Sequence, residues 1–295
     1  TKAETKAETK AETKAETKAE TKAETKAENE TGTRDQDTDA QTARGHQGAT
    51  HGAASSVLEQ ALTGRAERPR REAVDADATL LKEIESGPPY RIELPLPLRQ
   101  VIATTVSHAA HTPQFRISTQ LDLKAFKAYA DEHDGSFTLL LAKACAMTLS
   151  RFPDFNAAWT PDGLARRERI DVAIAMDAEN GLLTPVLRNV AGQSFSDLAA
   201  AWDTLKQKIR QHRTAPEDFR GATFYLSNLG MFPGVVQFDA IVPPGATAIL
   251  AVASPGEKGS MLTLTCDHRV VFGADAARFL AALAEHLKHP DNWTE

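Results

Sequence analysis

A histidine stands between an aspartate and an arginine in the stretch LTLTCDHRVVFGADAARF, residues 262–279, directly after an apolar run typical of a buried strand. Histidine is the side chain whose ordinary pKa lets it take up and return a proton near neutral pH. A strand end is a rigid place from which to present such a group. His268 is therefore a candidate general base, and its alternative role is that of a surface histidine in a turn.

A hydroxyl and an amide follow another apolar run in TFYLSNLGMFPG, residues 223–234. Ser227 could donate a hydrogen bond to an oxyanion, whereas the commoner use of Ser-Asn before Gly230 is to cap a turn. The segment lacks the Gly-x-Ser-x-Gly pattern of serine hydrolases, which disfavours a covalent acyl-serine.

Metal and disulfide chemistry have little support in the sequence. His108 and His111 have helical spacing, but no third residue of metal-ligand type lies near them, so no metal site is expected. Cys145 and Cys266 form no disulfide framework and are both expected to be reduced.

Five segments have the apolar pattern of strands, and the last two are joined by the turn-rich SPGEKGS as a hairpin. They are ISTQL (117–121), IDVAIAM (170–176), ATFYLS (222–227), ATAILAVA (246–253) and MLTLTC (261–266). The stretch 176–190 reads as an ordinary hairpin broken by Asn-Gly. The order of elements predicts an α+β (mixed α/β) sandwich with helices on a largely antiparallel sheet.

Four segments have helical patterns, and three of them follow a capping residue. Asp122 precedes a helix that Gly135 ends, Ser136 precedes an apolar and therefore buried helix that Pro153 stops, and Ser196 is the expected cap of a third. The closing helix covers residues 274–287.

The N-terminal part differs in composition. Seven Thr-Lys-Ala-Glu repeats fill residues 1–28, and residues 1–56 are predicted to be a disordered tail. Residues 57–87 are predicted to be a linker with short amphipathic pieces, and residues 88–295 a folded domain. The net charge of −6 does not suggest a nucleic-acid partner, and no apolar run suggests a membrane span or signal peptide. A cytoplasmic protein is expected.

Six segments resemble, in order, the catalytic domain of dihydrolipoyl acyltransferases, the core subunits of 2-oxoacid dehydrogenase complexes. They are RQVIATTVSHAAHTPQF, PDFNAAW, IDVAIAMDAENGLLTPVLRNV, APEDFRGATFYLSNLGMF, VPPGATAILAVA and LTLTCDHRVVFGADAARFLAAL. The resemblance implies the fold of chloramphenicol acetyltransferase, a homotrimer with active sites between subunits, and in some members a cubic assembly.

The resemblance also implies roles for particular residues. His268 would be the general base and Ser227 the oxyanion donor in direct acyl transfer from a coenzyme A thioester, a co-substrate rather than a bound cofactor. Residues expected to support the site are Arg99, Asn228, Asp267 and Phe272; residues expected to line the coenzyme A or substrate channel are Gly181, Leu182, Leu183, Thr184, Pro185 and Gly230.

Two departures from the family pattern shape the functional prediction. No lipoyl domain or small helical binding domain is recognisable in residues 1–86, and Phe272 stands where the family usually has an aspartate, which leaves Arg99 without its expected partner. These departures suggest an apolar acceptor pocket.

The first prediction is a stand-alone acyltransferase, with acetyl as the expected acyl group, acting on a hydroxyl of a small or carrier-bound acceptor and similar to those of tetronate natural-product pathways. The alternatives are a dehydrogenase-complex core that lacks its lipoyl domain, and a catalytically silent scaffold.

Overall fold

The computed structural model describes residues 76–133, 135–178 and 181–293. The predicted tail, residues 1–56, and the linker up to residue 75 lie outside the described residues. The described helices are α1 (Ala76–Glu85), α2 (Pro97–Ala109), α3 (Lys124–Glu132), α4 (Phe137–Leu149), α5 (Phe195–Arg210) and α6 (Gly273–Lys288). The described strands are β1 (Gln114–Leu121), β2 (Ala157–Thr160), β3 (Gly163–Arg166), β4 (Val172–Ile174), β5 (Met176–Ala178), β6 (Gly181–Leu183), β7 (Val186–Leu187), β8 (Phe224–Asn228), β9 (Ala248–Val252) and β10 (Ser260–Asp267).

Six of these strands form one mixed sheet in the order β1-β10-β9-β8-β4-β7. The pairs β1–β10, β10–β9 and β4–β7 are antiparallel, whereas β9–β8 and β8–β4 are parallel. The predicted α/β sandwich is confirmed, and the hairpin predicted between the last two strands is β9–β10. The two parallel pairs require long crossovers, and α5 lies in the connection between β7 and β8.

The core lies between one face of this sheet and the helices. Helix α4 is apolar around nearly its whole circumference, because it packs against α3, α5 and α6 while also facing the sheet. Alternate side chains of the strands complete the same cluster, among them Leu226 on β8 and Leu264 on β10. Each such leucine contributes about 1.5–3 kcal/mol by its burial. The sheet therefore has a helix-covered face and a second face without helices among the described elements.

Two helix starts differ in detail from the sequence prediction. The cap of α5 is Ser194 rather than Ser196, since the Oγ of Ser194 accepts the backbone N–H of Asp197 at 3.1 Å. The spacing of Ser194 to Asp197 is the one that lets a hydroxyl reach the third amide of a helix. Asp122 was the predicted cap of α3, but the N-cap residue is Leu123, so the helix begins one residue later; the Asp122 carboxylate accepts the N–H of Lys124 at 3.0 Å.

The predicted strand over 170–176 is two shorter strands. β4 belongs to the main sheet, and β5 pairs with β6 as a separate hairpin. The chain leaves the sheet at Ala175, whose N–H still bonds Leu226 on β8 at 2.8 Å. The hairpin β5–β6 therefore extends beyond the edge of the sheet at which β8 ends. Among the described helices, none is long and apolar enough to cross a membrane.

Candidate active site

His268 is the first residue after β10. Its backbone N–H donates to the carbonyl of Pro113 at 2.8 Å, which ties the strand end to the start of β1. The imidazole is exposed. The ring of Phe115, on β1, lies 4.5 Å from it between centroids. The candidate base is therefore held by backbone hydrogen bonding and ring packing, with its polar edge open to a reactant.

Asp267 supports the turn around the base and does not bind its ring. Its carboxylate accepts from Nε and Nη2 of Arg269 at 2.9 and 2.7 Å, and from the backbone N–H of Arg269 at 3.0 Å. This bidentate pairing raises the pKa of the Arg269 guanidinium. Arg269 also lies 5.9 Å from the ring centroid of Trp159 on β2. The Asp-His-Arg motif therefore locks a turn in which the two charged residues bind each other and leave His268 free.

Phe272 precedes α6 and is the second aromatic residue in contact with the His268 ring. Its backbone N–H donates to the Asp275 carboxylate at 3.0 Å, which fixes the start of the helix. Its ring lies 5.7 Å from the ring of His268. The side chain is 59% exposed, so a large apolar surface stands beside the candidate base.

Ser227 lies near the end of β8, on the sheet face without helices. Its neighbours in the strand, Leu226 and Asn228, point to the helical side, where Asn228 donates to the Thr138 hydroxyl of α4 at 3.0 Å. Asn228 also accepts the N–H of Gly230 at 2.8 Å, and a Cβ at Gly230 would lie 2.9 Å from this Asn228 oxygen. The turn after Ser227 is therefore fixed by Asn228, and within the described chain the Ser227 hydroxyl has no hydrogen-bond partner.

The candidate base and the candidate oxyanion donor lie at opposite edges of the same sheet. Ser227, Ala251 and Thr263 stand side by side on β8, β9 and β10. His268 is five residues further along the chain from Thr263. With about 3.3 Å per residue and about 4.8 Å between strands, Ser227 and His268 are roughly 19 Å apart. One copy of the chain therefore cannot bring both side chains to one reacting atom.

The predicted coenzyme A stretch lies on the Ser227 side of the sheet. Gly181 begins β6 with φ +137° and packs on α2, where a Cβ would lie 3.3 Å from the Ile102 methyl group. Pro185 is buried, and Leu182 is half exposed. The predicted supporting residue Arg99 is exposed on α2 and forms no ion pair with another described residue. The structure therefore groups the residues 181–185 with Ser227 and not with His268.

A second charged cluster, not predicted from the sequence, surrounds Asp171 just before β4. This buried carboxylate accepts from Arg169 at 2.8 Å twice, from Arg188 at 3.0 Å and from the Asn189 N–H at 2.8 Å. Although burial opposes ionisation, these hydrogen bonds hold the pKa of Asp171 below its ordinary value. The cluster lines an open cavity of about 550 Å³. Because its arginines are held by Asp171 and by backbone carbonyls such as that of Glu217, we interpret it as a structural anchor for β4 and β7.

Among the described residues we find neither a cluster suited to a metal ion nor a reactive thiol. No group of three histidine, cysteine or acidic side chains suited to a metal ion occurs in the described part of the chain. Cys145 and Cys266 are both buried and unpaired with each other. Burial raises the pKa of Cys145, and burial together with the nearby Asp267 charge raises the pKa of Cys266 to about 12. Neither thiol is suited to act as a nucleophile in the folded protein.

Residues 91–294 match the family described as 2-oxoacid dehydrogenases acyltransferase (catalytic domain). This match covers more than half of the chain, so the chain belongs to this acyltransferase family. The identification from sequence motifs is confirmed at this level.

Among curated relatives, the chain is 32% identical over 237 residues to a chloroplastic dihydrolipoyllysine-residue acetyltransferase component 5 of the pyruvate dehydrogenase complex of Arabidopsis thaliana, covering 74% of this chain and 51% of the relative. It is 34% identical over 223 residues to the mitochondrial component of Schizosaccharomyces pombe, covering 67% and 46%. The chain thus spans about half the length of the curated relatives it matches.

Two solved structures share the fold. The cubic core of a pyruvate dehydrogenase multienzyme complex is 30% identical, with a TM-score of 0.61, over 75% of this chain and 97% of that one. The Azotobacter vinelandii dihydrolipoamide acetyltransferase has the same identity, TM-score and coverage. In that enzyme a serine, a histidine and an asparagine four positions after the histidine have been investigated in the catalytic mechanism. In this chain the residue four positions after His268 is Phe272.

Proposed function

We propose that this chain transfers an acyl group between coenzyme A and the thiol of a dihydrolipoyl acceptor, as the core of a 2-oxoacid dehydrogenase type complex. The observation that carries the proposal is the pairing of two motif residues, His268 and Ser227, that can act together only across two copies of the chain. The names of the relatives support the acyl-transfer reaction. The distance between His268 and Ser227 within one sheet supports an assembly of several copies of the chain.

The proposed assembly is a homotrimer in which each site takes His268 from one subunit and Ser227 from the next. Heterologous contacts of this kind close into a ring when the rotation between neighbouring copies allows it, and the resemblance to trimeric catalytic domains favours three copies. The described surface carries several large exposed apolar side chains that such contacts would cover: Tyr90, Ile92, Leu94, Leu96, Met231 and Val236. The cubic core among the solved relatives supports a further assembly of trimers.

The chemistry assigns one task to each motif residue. The imidazole of His268 takes the proton from the acceptor thiol as the sulfur attacks the thioester carbonyl, and a new carbon–sulfur bond forms. The Ser227 hydroxyl donates to the oxyanion of the tetrahedral intermediate. The bond between carbon and the coenzyme A sulfur then breaks, and the imidazolium returns its proton to that sulfur. The proton balance closes without a metal or a redox cofactor.

The test is acyl transfer from acetyl-coenzyme A to dihydrolipoamide, with coenzyme A and S-acetyldihydrolipoamide quantified by liquid chromatography. We expect His268→Ala to lower kcat about 10²–10⁴-fold and Ser227→Ala about 10²–10³-fold. His133→Ala, which removes an exposed histidine at the end of α3, is the matched control and should keep full activity. Wild-type trimers that transfer to no acceptor would refute the proposal and favour a silent scaffold.

A second candidate is the stand-alone transferase to a hydroxyl that the sequence alone suggested. The matched family and the relatives named above favour the complex core over this function. The observation that keeps the hydroxyl acceptor under test is Phe272 beside the base. Faster turnover with a hydroxymethyl tetronate than with dihydrolipoamide would favour it.

A further inference from the structure

Two phenylalanine rings lie within aromatic contact distance of the imidazole of His268. Phe115 lies 4.5 Å away with an interplanar angle of 49°, and Phe272 lies 5.7 Å away at 60°. Both distances fall in the range of aromatic contacts. Phe115 belongs to β1 and Phe272 to the start of α6, so two independent elements each place an apolar ring beside one base.

A catalytic histidine is usually oriented by a polar side chain that forms a hydrogen bond with its ring, but here the ring contacts are apolar. The Asp267 carboxylate is occupied by Arg269, and no described side chain forms a hydrogen bond with the His268 ring. Phe115 is half buried against the core, whereas Phe272 leaves most of its ring exposed. An exposed phenyl surface beside a catalytic base is surface that a ligand gains free energy by covering.

We propose that Phe272 contacts the acceptor and selects acceptors whose thiol or hydroxyl is carried on an aliphatic body. This inference rests on the proposed function, because the acceptor nucleophile must come within about 3 Å of the imidazole to lose its proton. The carbon atoms next to that nucleophile then reach the ring of Phe272. The relative from Azotobacter vinelandii has an amide side chain at this spacing, so this chain presents apolar surface in its place.

The size of the effect follows from the exposed area. With 59% of Phe272 exposed in one copy of the chain, roughly 100 Å² of apolar surface is open to contact. A ligand that covers about half of it, at about 25 cal/mol per Å², binds about tenfold more tightly than one that cannot.

The experiment measures binding without turnover, using oxidised lipoamide as the aliphatic probe and oxidised dithiothreitol as a polar cyclic disulfide. Dissociation constants are obtained by saturation-transfer NMR on the full chain, for the wild type, Phe272→Asn and Phe272→Leu, after sedimentation shows the same assembly for all three. We expect Phe272→Asn to weaken lipoamide binding about tenfold and Phe272→Leu by less than about threefold. Oxidised dithiothreitol and desulfo-coenzyme A should bind all three proteins equally.

The following outcomes would overturn the inference. Equal lipoamide binding by the wild type and Phe272→Asn, or no lipoamide binding by the wild type, would remove Phe272 from the acceptor site. A loss confined to desulfo-coenzyme A would place Phe272 on the donor side instead. Because binding is measured directly, a protein that binds lipoamide in this pattern but transfers no acyl group would refute the proposed function and leave the inference standing.

Discussion

The roughly 19 Å between Ser227 and His268 within one sheet predicts that activity is shared between subunits. The perturbation is co-expression of Ser227→Ala and His268→Ala chains that carry different affinity tags, with isolation of trimers that contain both. Each variant alone is expected to be nearly inactive. In any mixed trimer of this kind, one of the three interfaces joins an intact Ser227 to an intact His268, so about one third of the wild-type activity is expected.

A matched control separates this result from incomplete inactivation. Wild-type chains are co-purified with the double variant, which lacks both side chains. The mixed trimers contain either one or two wild-type chains. If both kinds are present in equal amounts, sites shared between subunits give about one sixth of the wild-type activity, whereas sites within one subunit give about one half. The assay is the chromatographic measurement of S-acetyldihydrolipoamide. Mixed single-variant trimers with no activity above that of the separate variants would refute the shared site.

Three further predictions concern the scaffold and the turn around the base. Asp171→Asn should lower the free energy of unfolding by about 2–3 kcal/mol at pH 7 in urea titrations. The substitution removes the buried negative charge that accepts hydrogen bonds from Arg169, Arg188 and the Asn189 N–H. Since the pKa of Asp171 is lowered on folding, its stabilising effect is complete above the ordinary carboxyl pKa. The difference in the free energy of unfolding between wild type and Asp171→Asn should therefore shrink as the pH falls below about 4. A difference that stays constant down to about pH 2 would contradict this. Asp267→Asn should lower kcat about 10–100-fold while the trimer persists, because Arg269 no longer locks the turn. The control Arg278→Gln loses only a surface ion pair and should keep full activity. Equal activity of the two variants would contradict this prediction. Cys145 and Cys266 should resist iodoacetamide at pH 8 and both react in guanidinium, as counted by mass spectrometry, and rapid native labelling of either would contradict their burial.

Local pattern predicted most of the elements, because their signals lie within a few residues. The nearly continuous apolar run around Leu139 and Leu141 identified the buried helix, and the alternation around Leu262 and Leu264 identified the last strand. The prediction of the α5 cap was wrong by two residues. Ser194 and Ser196 are chemically the same, and only the helix geometry decides which hydroxyl reaches the Asp197 amide.

The sequence supplied the candidate site residues but not their arrangement. The motifs identified His268 and Ser227, but the contacts of the neighbouring side chains were not readable. Asp267 binds Arg269 and leaves the base free. The presence of a charged residue on each side of His268 in the sequence does not reveal this pairing. Phe115 reaches His268 because β1 pairs with β10, and these strands are about 150 residues apart in the chain.

The sequence by itself determined the chemistry available to this protein: a histidine after one strand, a serine near the end of another, and an apolar residue four positions after the histidine. Only the tertiary structure decided where that chemistry lies. Because β8 runs parallel to β9 and β9 antiparallel to β10, the ends of β8 and β10 lie at opposite edges of the sheet. Strand direction depends on pairing between distant segments, which local pattern does not encode. The same geometry separates Ser227 from His268, so a site that uses both side chains needs a second copy of the chain.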